Sequence, residues 1–268
     1  MGGVTVELTV LGVSGSYGSP TAGGACSGYL VRVGATTVWI DAGNGTFPNL
    51  QEHVDVADLT AVVISHAHPD HCVDLFGLHV LARYGLGRAG IPVYAPPGVR
   101  EHLGGLVRGW GDTFDWHEVG DGDSVDVSGT DTPDRDASDP ARSTPDRGLL
   151  RLAFSRTDHP PETLAVEVTA GDRRMIYTSD TGPGWEVGAF DPGADLVLSE
   201  ASYLHAQRHT SFHLSAREAG EGARAAAARE LMLTHLWPDV DPVAAVSEAE
   251  MAFGGPVSLA APHIVVRV

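Results

Sequence analysis

Apolar and polar residues alternate from the start of the chain. Over residues 4–10, Val4, Val6, Leu8 and Val10 are separated by polar neighbours, the period-two pattern of a half-buried strand, and Leu11-Gly12 breaks it. Strands are also predicted at 27–33 and 36–40, joined through Gly34-Ala35 as a hairpin. The run Leu59-Thr60-Ala61-Val62-Val63-Ile64 reads as a buried strand between a short helix at 49–58 and a longer one at 73–84. A strand at 91–95, ended by Pro96-Pro97-Gly98, a helix at 100–110 and short strands at 116–119 and 124–127 follow. The second half predicts strands at 150–155, 173–177, 194–198, 230–233 and 264–268. Ser215-Ala216-Arg217-Glu218 is a capping box for an alanine-rich helix reaching Arg229. Asp241-Pro242 supplies the N-cap and first position of another helix, which ends near Phe253 with Gly254 beyond. Strands alternating with helices give an α/β class, with a site at one end of the sheets. Nothing resembles a linker or repeat, so residues 1–268 are expected to form a single domain. Residues 128–147 are almost entirely Asp, Thr, Ser, Pro, Arg and Gly, the composition of a flexible acidic loop, with a lid as the alternative.

Directly after the apolar run stands Ser65-His66-Ala67-His68-Pro69-Asp70-His71, with three histidines and an aspartate in six consecutive positions. Pro69 biases the residue before it toward extended backbone, and a tight strand-to-helix loop would bring these side chains to one point. Imidazole and carboxylate together suit zinc, and manganese or iron less selectively. Later strand ends are followed by further candidates, His159, Asp180, Glu200 and His235. Asp41, closing the strand at 36–40, either accepts a hydrogen bond from a ligand histidine or makes a turn of its own. The small, glycine-rich loop at 14–20 is either a backbone cradle for phosphate or a wide turn. His213 stands just before the capped helix, where backbone N–H groups favour an anion. His205 and His209 read as surface residues, and His53, His79, His102, His117 and His263 lack any partner pattern.

Composition narrows the chemistry. All 17 basic residues are arginine, against 35 acidic ones, for a formal charge of -18. The absence of lysine excludes Schiff-base chemistry on lysine and a P-loop, and strong nucleic-acid binding is not expected without clustered cations. Cys26 and Cys72 are too few for a disulfide framework, and Cys72 reads as helix packing. Neither a signal peptide nor a membrane span is recognisable, so the expected location is the cytoplasm.

These residues resemble those of the metallo-β-lactamase-fold hydrolases, an αβ/βα four-layer sandwich. His66, His68, Asp70 and His71 match the HxHxDH motif, and His159, Asp180 and His235 match the later ligands in order. The resemblance implies two zinc ions, with Mn2+ or Fe2+ as substitutes: His66, His68 and His159 on the first, Asp70, His71 and His235 on the second, Asp180 bridging. Thr178-Ser179-Asp180-Thr181-Gly182, Ser199-Glu200-Ala201-Ser202 and Phe212-His213-Leu214-Ser215 are similar to motifs of ribonuclease Z. That branch inserts a tRNA-gripping arm between the residues matched by His159 and Asp180, and this chain has no room for one. Ser27-Gly28-Tyr29-Leu30, Ser65 to Leu75, Ser199-Glu200-Ala201-Ser202, His213 to Gly220 and Glu230 to Leu236 are similar to stretches of the small bacterial cyclic-nucleotide phosphodiesterases of this fold, the nearer likeness. By that resemblance the expected activity is hydrolysis of 3′,5′-cyclic nucleotides, cyclic AMP favoured, to 5′-monophosphates by a metal-bridging hydroxide. Asp70, His213 and Glu200 are the candidate catalytic residues, with Glu200 orienting His213, and a homodimer is expected. The alternatives are a ribonuclease Z-like endonuclease acting on RNA and a non-catalytic metal-bound scaffold or sensor.

Overall fold

The computed structural model describes residues 4–20, 24–107, 109–129, 148–207 and 212–268. Its first half contributes strands β1 (Glu7–Gly12), β2 (Gly28–Val33), β3 (Thr36–Ile40), β4 (Ala61–Val63), β5 (Ile91–Ala95), β6 (Phe114–Glu118) and β7 (Ser124–Ser128). The second contributes β8 (Leu149–Arg156), β9 (Leu164–Ala170), β10 (Arg173–Tyr177), β11 (Leu196–Glu200), β12 (Glu230–Thr234), β13 (Val257–Leu259) and β14 (Val265–Arg267). The helices are α1 (Thr46–Gln51), α2 (Pro69–Cys72), α3 (Leu75–Val80), α4 (Val99–Gly104), α5 (Ala216–Ala225) and α6 (Pro242–Phe253).

Two seven-stranded sheets result, ordered β14-β1-β2-β3-β4-β5-β6 and β13-β12-β11-β10-β9-β8-β7. β3 to β6 pair in parallel, as do β10 to β13, while the hairpin strands β7 to β10 pair antiparallel. Period-two alternation sends neighbouring residues to opposite cores. Tyr29 and Val31 meet Phe154, Val166 and Leu198 between the sheets, whereas Leu30 and Trp39 pack outward with Leu50, Leu78 and Leu103. Ile176, Val197 and Leu233 face the other way and are covered by Ala219 and Ala223 of α5 and Ala245 and Phe253 of α6. Helices on the outer faces of two stacked sheets make the four-layer α/β sandwich, the metallo-β-lactamase fold.

Several predicted boundaries move, each for a local reason. The helix expected at 73–84 begins earlier, because Pro69 fits the first helical position, and it runs on through wide π-type turns over Leu81–Leu86. The helix expected at 49–58 divides into α1 and a 3₁₀ turn, Val56–Asp58, capped by the Asp55 side chain accepting from Ala57 N–H. The helix expected at 100–110 stops at Gly104 with Gly105 as its C-cap. α5 ends before Ala227, which takes a φ of 51°, so that Arg229 N–H can bond Ala194 O and start β12. Ser128 closes β7 and Gly129 N–H donates to Thr36 Oγ1, so the expected loop begins later than 128; residues 130–147 lie outside the described part.

Candidate metal centre

The carboxyl ends of β3, β4, β8, β10, β11 and β12 all open at one edge of the sandwich, followed in turn by Asp41, His66 with its loop, His159, Asp180, Ser202 and His235. Four of these positions are on the second sheet and two on the first, so the side chains meet only because the sheets are stacked. Their potential ligand atoms form overlapping groups: His66, His68, His159 and Asp180; Asp70, His71 and His235; and Asp180, His213 and His235, each spanning no more than 4.8 Å. The seven residues predicted as ligands are thus brought together.

Asp180 divides itself between the first two groups. Its Oδ2 lies 3.7 Å from His66 Nε2 and 3.8 Å from His159 Nε2, while Oδ1 lies 3.3 Å from His71 Nε2 and 3.4 Å from His235 Nε2. Oδ1 is buried and has no hydrogen-bond partner among the described residues.

Proton bookkeeping fixes which histidine nitrogens face the cluster. Asp41, an obligate acceptor when ionised, takes Ser65 N–H at 2.8 Å on Oδ1, and the Ser65 hydroxyl at 2.8 Å, Tyr177 O–H at 2.9 Å and His71 Nδ1–H at 2.7 Å on Oδ2. With its proton committed to Asp41, the Ser65 hydroxyl accepts from His66 Nδ1–H at 3.0 Å. His159 Nδ1–H donates to Phe212 O at 2.8 Å. Ser202 Oγ–H donates to Glu200 Oε2 at 2.8 Å and therefore accepts from His235 Nδ1–H at 3.1 Å. In its neutral form each of His66, His71, His159 and His235 consequently presents an Nε2 lone pair to the interior. His66 Nε2 and His159 Nε2 lie 3.0 Å and 3.3 Å from His68 Nδ1, which has one proton at most to share between them. Converging lone pairs beside an unpartnered carboxylate oxygen are what a cation would satisfy, and the all-N/O donor set fits zinc or a neighbouring divalent ion.

The buried carboxylates favour positive charge in the cluster, carried by His71 when no ion supplies it. Burial disfavours charge on His71, yet Asp180, Asp41 and Asp70 hold its pKa well above the usual histidine value. Burial likewise opposes charge on Asp180, but His235 and His71 keep it well below the carboxylate range. His66 is pushed well down, by burial and then by His71 beside it. At the rim, His213 keeps a side-chain exposure of 13% and donates Nδ1–H to Glu200, 3.1 Å from Oε1 and 3.2 Å from Oε2. Burial opposes its charge, but Glu200 outweighs this and raises its pKa to about 9. Glu200 itself is buried; its contacts are His213, Ser202 and the Thr181 N–H at 2.6 Å from Oε1, so it reaches the cluster through others.

Other residues were open or unforeseen in the sequence. Of the two readings of Asp41, the structure shows the acceptor for His71. The glycine-rich loop braces the cluster, with Ser16 at a φ of 64° and its N–H donating to Asp70 Oδ2 at 3.0 Å. Ser65 and Ser202 stood within the motifs with no role of their own, and nothing in the local sequence marks Tyr177, which reaches Asp41 from the other sheet. Cys72 is buried and its thiol donates to His68 O at 3.0 Å, in keeping with packing. His205 contacts the helix-capping Ser215 Oγ at 3.1 Å, and His53 pairs with His263 at 2.9 Å. His209 lies outside the described residues.

With this geometry in hand, the similarities to known proteins are informative. The family described as the Beta-lactamase superfamily domain matches residues 36–236. The protein Rv1339 of Mycobacterium tuberculosis is 34% identical over 266 residues, covering 95% of this chain and 89% of its own. A ribonuclease Z of Myxococcus xanthus is 28% identical over 299 residues, covering 95% of each chain. Among solved structures, the metallo-β-lactamase fold protein YhfI of Bacillus subtilis superposes with a TM-score of 0.82 at 25% identity, covering 99% of this chain and 100% of that one.

Proposed function

Because the chain belongs to the beta-lactamase superfamily and is by class a metal-dependent hydrolase, we propose that it is a dinuclear phosphodiesterase that converts 3′,5′-cyclic nucleotides, cyclic AMP foremost, to 5′-monophosphates. The observation that carries this reading is Asp180, one oxygen turned to each donor group. A carboxylate so placed suits a pair of divalent ions, and two-ion sites suit in-line displacement at phosphorus. His66, His68 and His159 would hold one ion, Asp70, His71 and His235 the other, with Asp180 between them. When bound, the ions would supply acidified water and positive charge against the phosphate oxygens.

The remaining steps belong to the chain itself. Glu200 occupies His213 Nδ1–H, so Nε2 is the nitrogen free to hold and release a proton. A pKa raised by Glu200 keeps that imidazole protonated near neutral pH, as a group that protonates the departing 3′-oxygen must be. Asp41, Ser65, Tyr177 and Ser202 orient the histidines and leave no rotamer search for substrate to induce.

A small substrate is favoured over tRNA. Between His159 and Asp180, all of it described, the chain forms only the hairpin of β9 and β10, so no arm projects from that position to grip a folded RNA. The charge of -18 opposes a polyanion but penalises a singly charged cyclic nucleotide far less. Endonuclease action on short RNA is the second reading, supported by similarity to proteins named ribonuclease Z.

The test is turnover of 3′,5′-cyclic AMP by zinc- or manganese-loaded protein beside Asp180→Ala. Product 5′-AMP that the substitution abolishes is the expected result. An inactive but metal-loaded protein that cleaves short RNA would transfer the assignment to the second reading.

A further inference from the structure

Behind the group formed by Asp70, His71 and His235, four side chains close a circuit. His213 bonds Glu200, Glu200 bonds Ser202, Ser202 bonds His235, and His235 stacks on His213 with ring centroids 5.5 Å apart and planes 21° from parallel. Ser202 is fully buried, and its backbone is held from both sides: its N–H donates to Leu214 O at 3.0 Å, and its carbonyl accepts Trp237 N–H at 3.1 Å. Its hydroxyl carries a single proton, so the direction of the circuit depends on who receives it. Ionised Glu200 can only accept, and Thr181 N–H, a backbone donor that cannot be reversed, bonds Oε1. The Ser202 proton therefore goes to Oε2, and Ser202 Oγ accepts from His235 Nδ1–H. That assignment leaves the lone pair of His235 Nε2 aimed at Asp70 Oδ2, 3.5 Å away, and Asp180 Oδ1, 3.4 Å away.

We propose that Ser202 is a positioning residue that sets the His235 tautomer for cation binding, and that Glu200 governs this tautomer through Ser202 although it bonds none of Asp70, His71 or His235. The proposal rests on the metal-centre reading above.

It makes a prediction that packing alone does not. Glu200→Gln preserves shape, but Thr181 N–H requires the amide oxygen at the Oε1 position. The amide NH2 then occupies the Oε2 position and donates to Ser202 Oγ. With the Oε2 direction taken, the hydroxyl proton turns to His235 Nδ1, the other side-chain atom bonded to Ser202 Oγ, and the imidazole proton moves to Nε2. A protonated Nε2 cannot ligate.

The experiment is calorimetric titration of the full-length, chelator-stripped protein with Zn2+, for wild type, Ser202→Ala, Ser202→Thr and Glu200→Gln, with imidazole nitrogen NMR of His235 in the metal-free proteins. The expected result is two binding events in wild type and Ser202→Thr, and one of the two weakened about 10–100-fold in Ser202→Ala and Glu200→Gln. Glu200→Gln should also show His235 protonated on Nε2, where wild type shows Nδ1. Should Ser202→Ala fail to fold, Glu200→Gln alone decides the matter. Wild-type zinc affinity in Glu200→Gln with the tautomer unchanged would overturn the proposal and leave the metal centre intact. A wild-type protein that binds no zinc would overturn both.

Discussion

Asp41 accepts four hydrogen bonds on two buried oxygens, three of them at Oδ2. Asp41→Asn would place its amide oxygen where the three donors converge, leaving the NH2 facing Ser65 N–H, donor against donor. The expected cost is on the order of 1–3 kcal/mol, measured by urea unfolding of the metal-free protein; an unchanged midpoint would mean that Asp41 is not the anchor described. The sequence left Asp41 between two readings because its donors come from the metal loop and from β10, beyond any local window. His213 makes a residue-scale prediction about pH. Its pKa is raised, so the charged acid is present at low pH and lost as pH climbs through that value, about 9 before metals bind and lower with them. The rate should therefore fall on the alkaline side. At saturating metal, Glu200→Gln should move that limb toward acid by on the order of one pH unit. A pH–rate profile of the two proteins checks this, and superimposable alkaline limbs would remove His213 as the proton donor.

Elements explain why the histidine loop is so well placed. The turn after β3 and the residue leading into β2 lie against it: Ala42 N–H donates to His71 O at 2.6 Å, and Ser27 N–H donates to Asp70 O at 3.2 Å. Gly43 sits in this contact, where a Cβ would collide with the Asp70 carbonyl oxygen. Gly43→Ala should therefore push the loop outward and lower metal affinity while the core, built elsewhere, still folds. Comparing zinc stoichiometry with the near-ultraviolet dichroism of the variant is the measurement, and full stoichiometry would contradict the close approach. The strands bearing ligands were legible because each is apolar and ends in a polar, chemically distinctive residue. β9 was not, since Leu164–Ala170 delivers no ligand and its alternation is blurred: five of its seven residues are buried, as in a strand covered on both faces. β13 is only three residues long and half-buried, too short to carry a period.

At the scale of the molecule, the cluster ties the two sheets together at one edge, so bound ions should act as a fold-wide clamp. An ion held at one hundred times its Kd adds about 2.7 kcal/mol per site, which in a domain of this size corresponds to about 5–10 °C in melting temperature. Differential scanning calorimetry with and without a chelator should show that fall, and an identical transition would argue against tight metal binding. None of the helices among the described residues is long and apolar enough to cross a membrane. The α/β class and the metal-capable strand ends were legible in the sequence, because hydrophobic period and side-chain chemistry are properties of a residue and its near neighbours, while the four-layer fold and the set of seven ligands were what the family resemblance implied. The family resemblance implied how those candidates are shared out, and tertiary structure supplied the geometry: that Asp180 turns one oxygen to each group, that Asp41 orients His71, and that Ser202 stands between Glu200 and His235. These are distances between loops of two different sheets, and they exist only once the inner faces have packed and brought the strand ends to one edge.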